Sequence, residues 1–160
     1  MKIAITGHRP ERLAERTDDC RIWLEHMMEE LDTEFGIEAV YDGMAEGVDI
    51  IAARAALEKG LELWCCYPYR RKFIDNLEAE LTQGLDGYPP LYRVVLHEKW
   101  PGKGCYIERE RYMVDNADVL LAVWDGKENG GTWQTIKYAR EQGKKIYYFP
   151  WLGGEDGGDC

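Results

Sequence analysis

The apolar run Val119-Leu120-Leu121-Ala122-Val123-Trp124 empties into "DGKENGGTWQT" (residues 125–135), and this passage decides the fold. Six apolar residues without alternation read as a strand buried on both faces, as in the middle of a parallel sheet. Gly130 and Gly131 then turn the chain, and a helix is expected from Thr132 to about Gly143. A buried strand that leaves through a glycine turn into a helix is half of a βαβ unit.

The rest of the chain repeats that grammar. Ile3-Ala4-Ile5, 38–43, 61–67, 91–97 and 145–149 read as further strands. Between them, helices are expected over 17–35, from about 48 to Gly60, over 71–84 and over 105–117. Cys20, Trp23, Met27, Leu31 and Phe35 recur at helical spacing before Gly36 stops the first of these. The expectation is a single α/β domain over residues 1–150, Rossmann-like and three-layered, with a mainly parallel sheet. Residues 151–160, ending "GGEDGGDC", hold too little apolar material to pack and are expected to form a mobile tail.

With 160 residues the chain is long enough for one real core. Thirty acidic against 20 basic residues leave a formal net charge of -10. That field repels polyphosphate backbones, so nucleic acid is not expected as a partner, while a small phosphorylated ligand in a local basic pocket stays allowed. The five cysteines have no CxxC or framework spacing and read as buried free thiols. Cys65 and Cys66, adjacent in a strand, are expected on opposite faces. No leader segment and no apolar run of ~18 residues is visible, so the expectation is a cytoplasmic protein with no membrane partner.

In open α/β sheets, ligands bind beyond the carboxyl ends of the strands. Three of the strands end in unusual turns, containing Gly7, His8 and Arg9; Gly43, Glu46, Gly47 and Asp49; and Asp125, Gly130, Gly131 and Thr132. All three are expected on one edge. The two glycines at 130–131 let a ligand approach backbone N–H groups at a helix start, where an anion is favoured. Thr132 caps that helix or bonds a phosphate, and Arg9 offers a guanidinium fork to the same phosphate. Glu46 and Asp49 sit where they would cap a helix, bind ribose hydroxyls or do acid–base work. Trp133 reads as a base-stacking ring or as helix packing. Arg70, Arg71, Arg109 and Arg111 read by position as solvated helix residues. His8, His26 and His97 are scattered, so no metal is expected, and no cofactor is implied.

"ITGHRPERL" (5–13), "GMAEGVDIIAARAAL" (43–57) and "ERYMVDNADVLLAVWDGKENGGTWQTIKYAREQGKKI" (110–146), in this order, resemble the SLOG superfamily of Smf/DprA and LOG-like proteins. The YpsA-like branch is the nearest in pattern, and the resemblance runs from Lys2 to Phe149. It implies a Rossmann-like fold that binds nucleotides or nucleotide-derived ligands. LOG phosphoribohydrolases in that superfamily cleave a nucleotide N-glycosidic bond through R-K-x-x-M and P-G-G-x-G-T-x-x-E motifs. Arg109 and Met113 match the first, with Glu110 in place of its lysine; Gly131 and Thr132 match the second, with Thr135 in place of its glutamate.

The resemblance also implies a topology. Strand numbering alone would set 92–97 beside the first strand. The family pattern instead sets strand 118–124 beside strand 2–6, with 92–97 beyond 61–66. The function implied is binding or sensing of a nucleotide or nucleotide-derived small molecule at the carboxyl edge. The site would comprise Gly7, His8, Arg9, Gly43, Glu46, Gly47, Asp49, Arg109, Asp125, Gly130, Gly131, Thr132 and Thr135. The alternative is a hydrolase or transferase acting on a nucleotide N-glycosidic bond through another carboxylate, with Glu46, Asp49 and Asp125 as candidates. Threonine supplies no negative charge for an oxocarbenium-like state, so whether the chain is an enzyme stays open. A weaker alternative is single-stranded DNA binding, and a homo-oligomer stays open as well.

Overall fold

The computed structural model describes residues 1–87 and 89–151. Six parallel strands form one sheet: β1 (Lys2–Gly7), β2 (Ala39–Asp42), β3 (Leu63–Tyr67), β4 (Leu91–Val95), β5 (Val119–Val123) and β6 (Lys145–Tyr148). Their spatial order is β4-β3-β2-β1-β5-β6, so the direction of strand addition reverses between β1 and β5. Ile3 pairs with Val119, and Gly7 with Val123. The expected neighbours are therefore the observed ones, and β4 is the edge strand beyond β3.

The α-helices among the described residues are α1 (Pro10–Leu13), α2 (Thr17–Phe35), α3 (Val48–Glu58), α4 (Ile74–Thr82), α5 (Gly104–Asn116) and α6 (Gly130–Glu141). Two differences from the sequence reading matter for the site. Residues 10–16, expected as loop, form α1 and a 3-10 turn, because Pro10 suits the first turn of a helix. The last helix starts at Gly130, not Thr132, with Asn129 in extended conformation before it. Gly130 and Gly131 are thus its first turn, and their N–H groups belong to the set that no helical carbonyl can satisfy.

Strand periodicity sorts the core into two layers. Ile3, Ile5, Val40, Leu63, Cys65, Leu121 and Val123 face α2, α3 and α4, where Leu24, Met28, Val48, Ala52 and Ile74 pack against them. Ala4, Tyr41, Cys66, Leu120 and Ala122 face α5 and α6, meeting Met113, Val114, Ile136 and Ala139. Cys65 and Cys66 point to opposite layers as expected, and burial pushes both thiols far above the ordinary cysteine value. Cys20 and Cys105 are also buried and free.

Trp151, assigned to the tail from sequence, is packed: its ring meets Phe149 and His8 edge-on, and its carbonyl accepts from Arg16 Nη1. The remainder of that expected tail lies outside the described residues. Among them, no helix is long and apolar enough to cross a membrane.

Candidate functional site

β1 and α3 approach so closely that no side chain fits between them. A Cβ on Gly7 would lie 2.5 Å from Val48, and one on Gly47 would collide with the His8 carbonyl. Gly47 also has φ +96°, which side-chain-bearing residues rarely adopt. This contact brings the turn after β2 against the turn after β1, and β5 lies on the other side of β1. The three turns converge, as expected, on a cavity of about 560 Å³.

The cavity opens at the switch point and continues between α5 and α6. Of the residues expected at the site, Gly7, His8, Arg9, Asp49, Arg109, Gly131 and Thr132 line it. Gly131 faces open space, with nothing within 4 Å of where its Cβ would stand. Asn129 provides no side-chain cap to α6; its amide oxygen accepts instead from Arg12 Nη1 at 3.2 Å. Arg9 is exposed and has no ion-pair partner among the described residues.

The other expected residues do not line the cavity, each for a physical reason. Gly43 closes the floor: its carbonyl accepts from Arg109 Nη1 at 2.7 Å. Gly47 serves the close approach of α3, and Glu46 is exposed. Gly130 packs near Arg12 Nη1. Thr135 turns inward, donating to the Gly131 carbonyl at 2.9 Å and to Glu110 Oε2 at 3.1 Å.

Asp125 belongs to a brace behind the pocket wall. It pairs with Arg12 at 2.7 Å, and its backbone N–H donates to His8 Nε2 at 2.9 Å. That bond makes Nε2 an acceptor, so His8 is neutral with its proton on Nδ1. Burial lowers the His8 pKa in the same sense. For Asp125, burial works upward, but the Lys127 N–H, Arg12 and His8 outweigh it and hold the carboxyl below its usual value.

The cavity floor holds the most unusual electrostatics. Arg109 is largely buried; besides Gly43 it binds Glu110 Oε1 at 2.9 Å. Burial works against its charge, and Glu110 and Asp49 more than compensate, raising its pKa. A Cβ on Gly43 would lie 2.9 Å from Asp49 Oδ2 and 3.3 Å from Arg109 Cζ, which shows how tightly these groups pack. Asp49 accepts from the Ala45 N–H at 3.2 Å, yet burial first and Glu110 second push its pKa up to about 7. Beneath it Asp42 is fully buried, bonded to the Met44 N–H through Oδ1 and without a partner on Oδ2. Burial and the neighbouring Asp49 push the Asp42 pKa well above the usual carboxylate value.

Sequence reasoning missed Glu110, Asp42, Arg12, Gln134 and Lys137, and assigned Arg111 by position to a solvated face; Arg109, read the same way by position, was placed in the site by the resemblance. A signal was present: Gly131, Gln134, Lys137, Tyr138 and Glu141 recur at helical spacing and form one stripe of α6 along the cavity. Trp133 is not on it; it stacks on Trp124 with centroids 5.4 Å apart. Arg70 pairs with Glu98, and Arg71 lies over Tyr69 and donates to the Tyr106 hydroxyl. Among the described residues, no group of three His, Cys, Asp or Glu side chains is placed to hold a metal.

Solved structures share this architecture, two of them as follows. DNA processing protein A from Streptococcus pneumoniae superposes with a TM-score of 0.65 at 18% identity, over 92% of this chain and 49% of that one. TM1055, a structural-genomics target, superposes with a TM-score of 0.59 at 19% identity, over 91% of this chain and 71% of that one. At such identities the likeness is one of fold, and this chain spans about half the length of the DNA processing protein. None of the curated proteins matches it. The family model for DNA recombination-mediator protein A matches residues 2–155, nearly the whole described chain. By that match the chain belongs to the DNA recombination-mediator protein A family, within the superfamily that its glycine-turn motifs resemble.

Proposed function

We propose that the cavity binds a nucleotide or nucleotide-derived small molecule, with a phosphate seated on the first turn of α6. One observation carries this reading. In a chain of net charge -10, Arg9, without an ion-pair partner among the described residues, lines the same cavity as Gly131 in the first turn of α6, where nothing stands within 4 Å of the place a Cβ would take. An anion at that point completes the helix and pairs the arginine. Burial and Glu110 raise the Asp49 pKa to about 7, which lessens the negative charge on that part of the cavity wall at and below that pH.

Titration calorimetry with a panel of nucleoside 5′-monophosphates tests the reading. Gly131→Asp is expected to abolish the heat while leaving the melting temperature near that of the parent, since Gly131 has an ordinary φ and free space around it. Equal heats for the two proteins would remove the turn from the site. We place the chain in the YpsA-like branch on the order of its motifs, which is tested by whether that branch shares Glu110 together with Thr135.

A second reading, cleavage of an N-glycosidic bond, draws support from Glu110. Its carboxylate bonds Thr135 at 3.1 Å, so a negative charge stands beside the position where the hydrolase motif has glutamate. Release of free base from a nucleoside monophosphate, lost in Glu110→Gln, tests it. The family and the pneumococcal protein of similar fold are both named for DNA, which weighs against the expectation that nucleic acid is excluded. A mobility shift with a labelled oligonucleotide at low salt tests that reading.

A further inference from the structure

The cavity extends well past the place where one phosphate would sit. From Gly131 to Glu141 its wall follows α6 for about 15 Å, at 1.5 Å per residue. Cations line it at two separate levels. Arg9 stands at the switch point; Lys137 and Arg111, both exposed, stand farther along the groove, from α6 and α5 respectively, and neither has an ion-pair partner among the described residues, although the carboxylates of Glu110 and Glu141 line the same cavity. Arg111 lies over the Tyr138 ring at 5.1 Å, which orients it along the groove. Lys137 is six residues beyond Gly131, about 9 Å along the helix axis. Between the two levels the wall is of another kind, with the half-exposed Ile107 on one side and the exposed amide of Gln134 on the other.

We propose that the cavity takes a ligand with two anionic groups joined through one nucleoside unit, a 5′-phosphorylated dinucleotide, whose second phosphate is bound by Lys137 and Arg111. This deepens the nucleotide reading and rests on it. The spacing decides the linkage. Phosphates separated by a sugar reach both cationic levels, whereas the two adjacent phosphates of a pyrophosphate-linked dinucleotide crowd into one. Ile107 then supplies an apolar wall for the intervening base, and Gln134 a donor–acceptor pair for its edge.

Calorimetry with four probes tests this: thymidine 5′-monophosphate, the 5′-phosphorylated dithymidine dinucleotide, the pyrophosphate-linked dithymidine isomer, and a 5′-phosphorylated strand of eight thymidines. The 5′-phosphorylated dinucleotide is expected to bind at least tenfold more tightly than the monophosphate. Lys137→Glu is expected to remove that gain while leaving the monophosphate within twofold. The salt dependence is expected to be steeper for the dinucleotide by about one counterion. Three results overturn the proposal: equal affinity for monophosphate and dinucleotide, equal or tighter binding of the pyrophosphate isomer, or a Lys137→Glu effect of the same size on both. A further large gain for the longer strand also overturns it, since the groove would then be part of a continuous track. Loss of monophosphate binding together with an inert Gly131→Asp is the separate signature that the nucleotide reading itself fails.

Discussion

Two buried polar groups flank the same switch point, and they are built on opposite principles. The brace of His8, Asp125 and Arg12 sets one carboxylate against one guanidinium and a neutral imidazole, so its charges balance. The cluster of Asp42, Asp49, Glu110 and Arg109 sets three carboxylates around one guanidinium, and burial together with their mutual repulsion raises the pKa values of Asp42 and Asp49. A balanced group, whose carboxylate stands behind the wall that His8 and Arg12 line, secures the fold. An unbalanced one, with Asp49, Glu110 and Arg109 on the cavity, is poised to respond to whatever charge arrives there.

The difference carries a sign that can be measured. Asp42 and Asp49 have raised pKa values, so their contribution is fully present below the unfolded value near 4 and is lost as pH rises, through about 7 for Asp49. His8 and Asp125 have lowered pKa values, so their contribution is present above the unfolded values and is lost as pH falls through the folded ones. The cluster is sensitive to base and the brace to acid.

The largest expected effect is that of Arg109→Leu, which strips the cluster of its only cation. Urea unfolding at pH 8 is expected to show a loss of about 3–5 kcal/mol, as when one partner of a buried pair is removed. At pH 5 the loss is smaller, because protons neutralise the carboxylates left behind. A loss independent of pH would erase the distinction between the two groups.

Asp125→Ala comes next, at about 1–3 kcal/mol for a buried acceptor removed from its donors. Here the cost is expected to be the same at pH 8 and pH 5 and to shrink only below about pH 4, as Asp125 takes up a proton, so it lacks the relief at pH 5 expected of Arg109→Leu. Monophosphate binding, measured by calorimetry, should change little, since Asp125 does not line the cavity.

A charge exchange between α5 and α6 follows in size. Thr135→Glu alone sets a second carboxylate against Glu110, 3.1 Å from the present hydroxyl, and is expected to destabilise. Adding Glu110→Lys converts the clash into an attractive pair. A double-mutant cycle read by thermal melting should give a favourable coupling of about 1–2 kcal/mol. Simple additivity would mean that the two positions do not meet.

The smallest effect is the most diagnostic. Asp49→Asn is expected to change stability little at pH 4 and to stabilise at pH 8, with the gap opening between about pH 4 and 7, where the folded chain holds a proton that the unfolded chain has lost, and levelling off above 7. Binding of an anion should weaken as pH rises through 7 in the parent, because Asp49 then regains its charge, and the Asn variant should flatten that profile. A profile unchanged by the substitution assigns the proton to another group.

What the sequence determined by itself was the fold and its edge. Apolar runs that alternate with helical spacing dictate an α/β sheet, because a strand buried on both faces must be apolar at every position, as Val119–Val123 is. The motif order then placed β5 beside β1, and with it the turns of Arg9, Asp49 and Gly131. Tertiary structure alone decided which side chains reach the ligand space. Glu110 reads as one more charge on a surface helix until α6 brings Thr135 to it, and Arg111 and Lys137 come to line one cavity only when two helices pack side by side. Asp125 and Gly47, conspicuous in their turns, are consumed by contacts with residues far away in the chain. Periodicity is local and survives in one dimension; the balance of charge in a cavity depends on distances between segments, which exist only after packing.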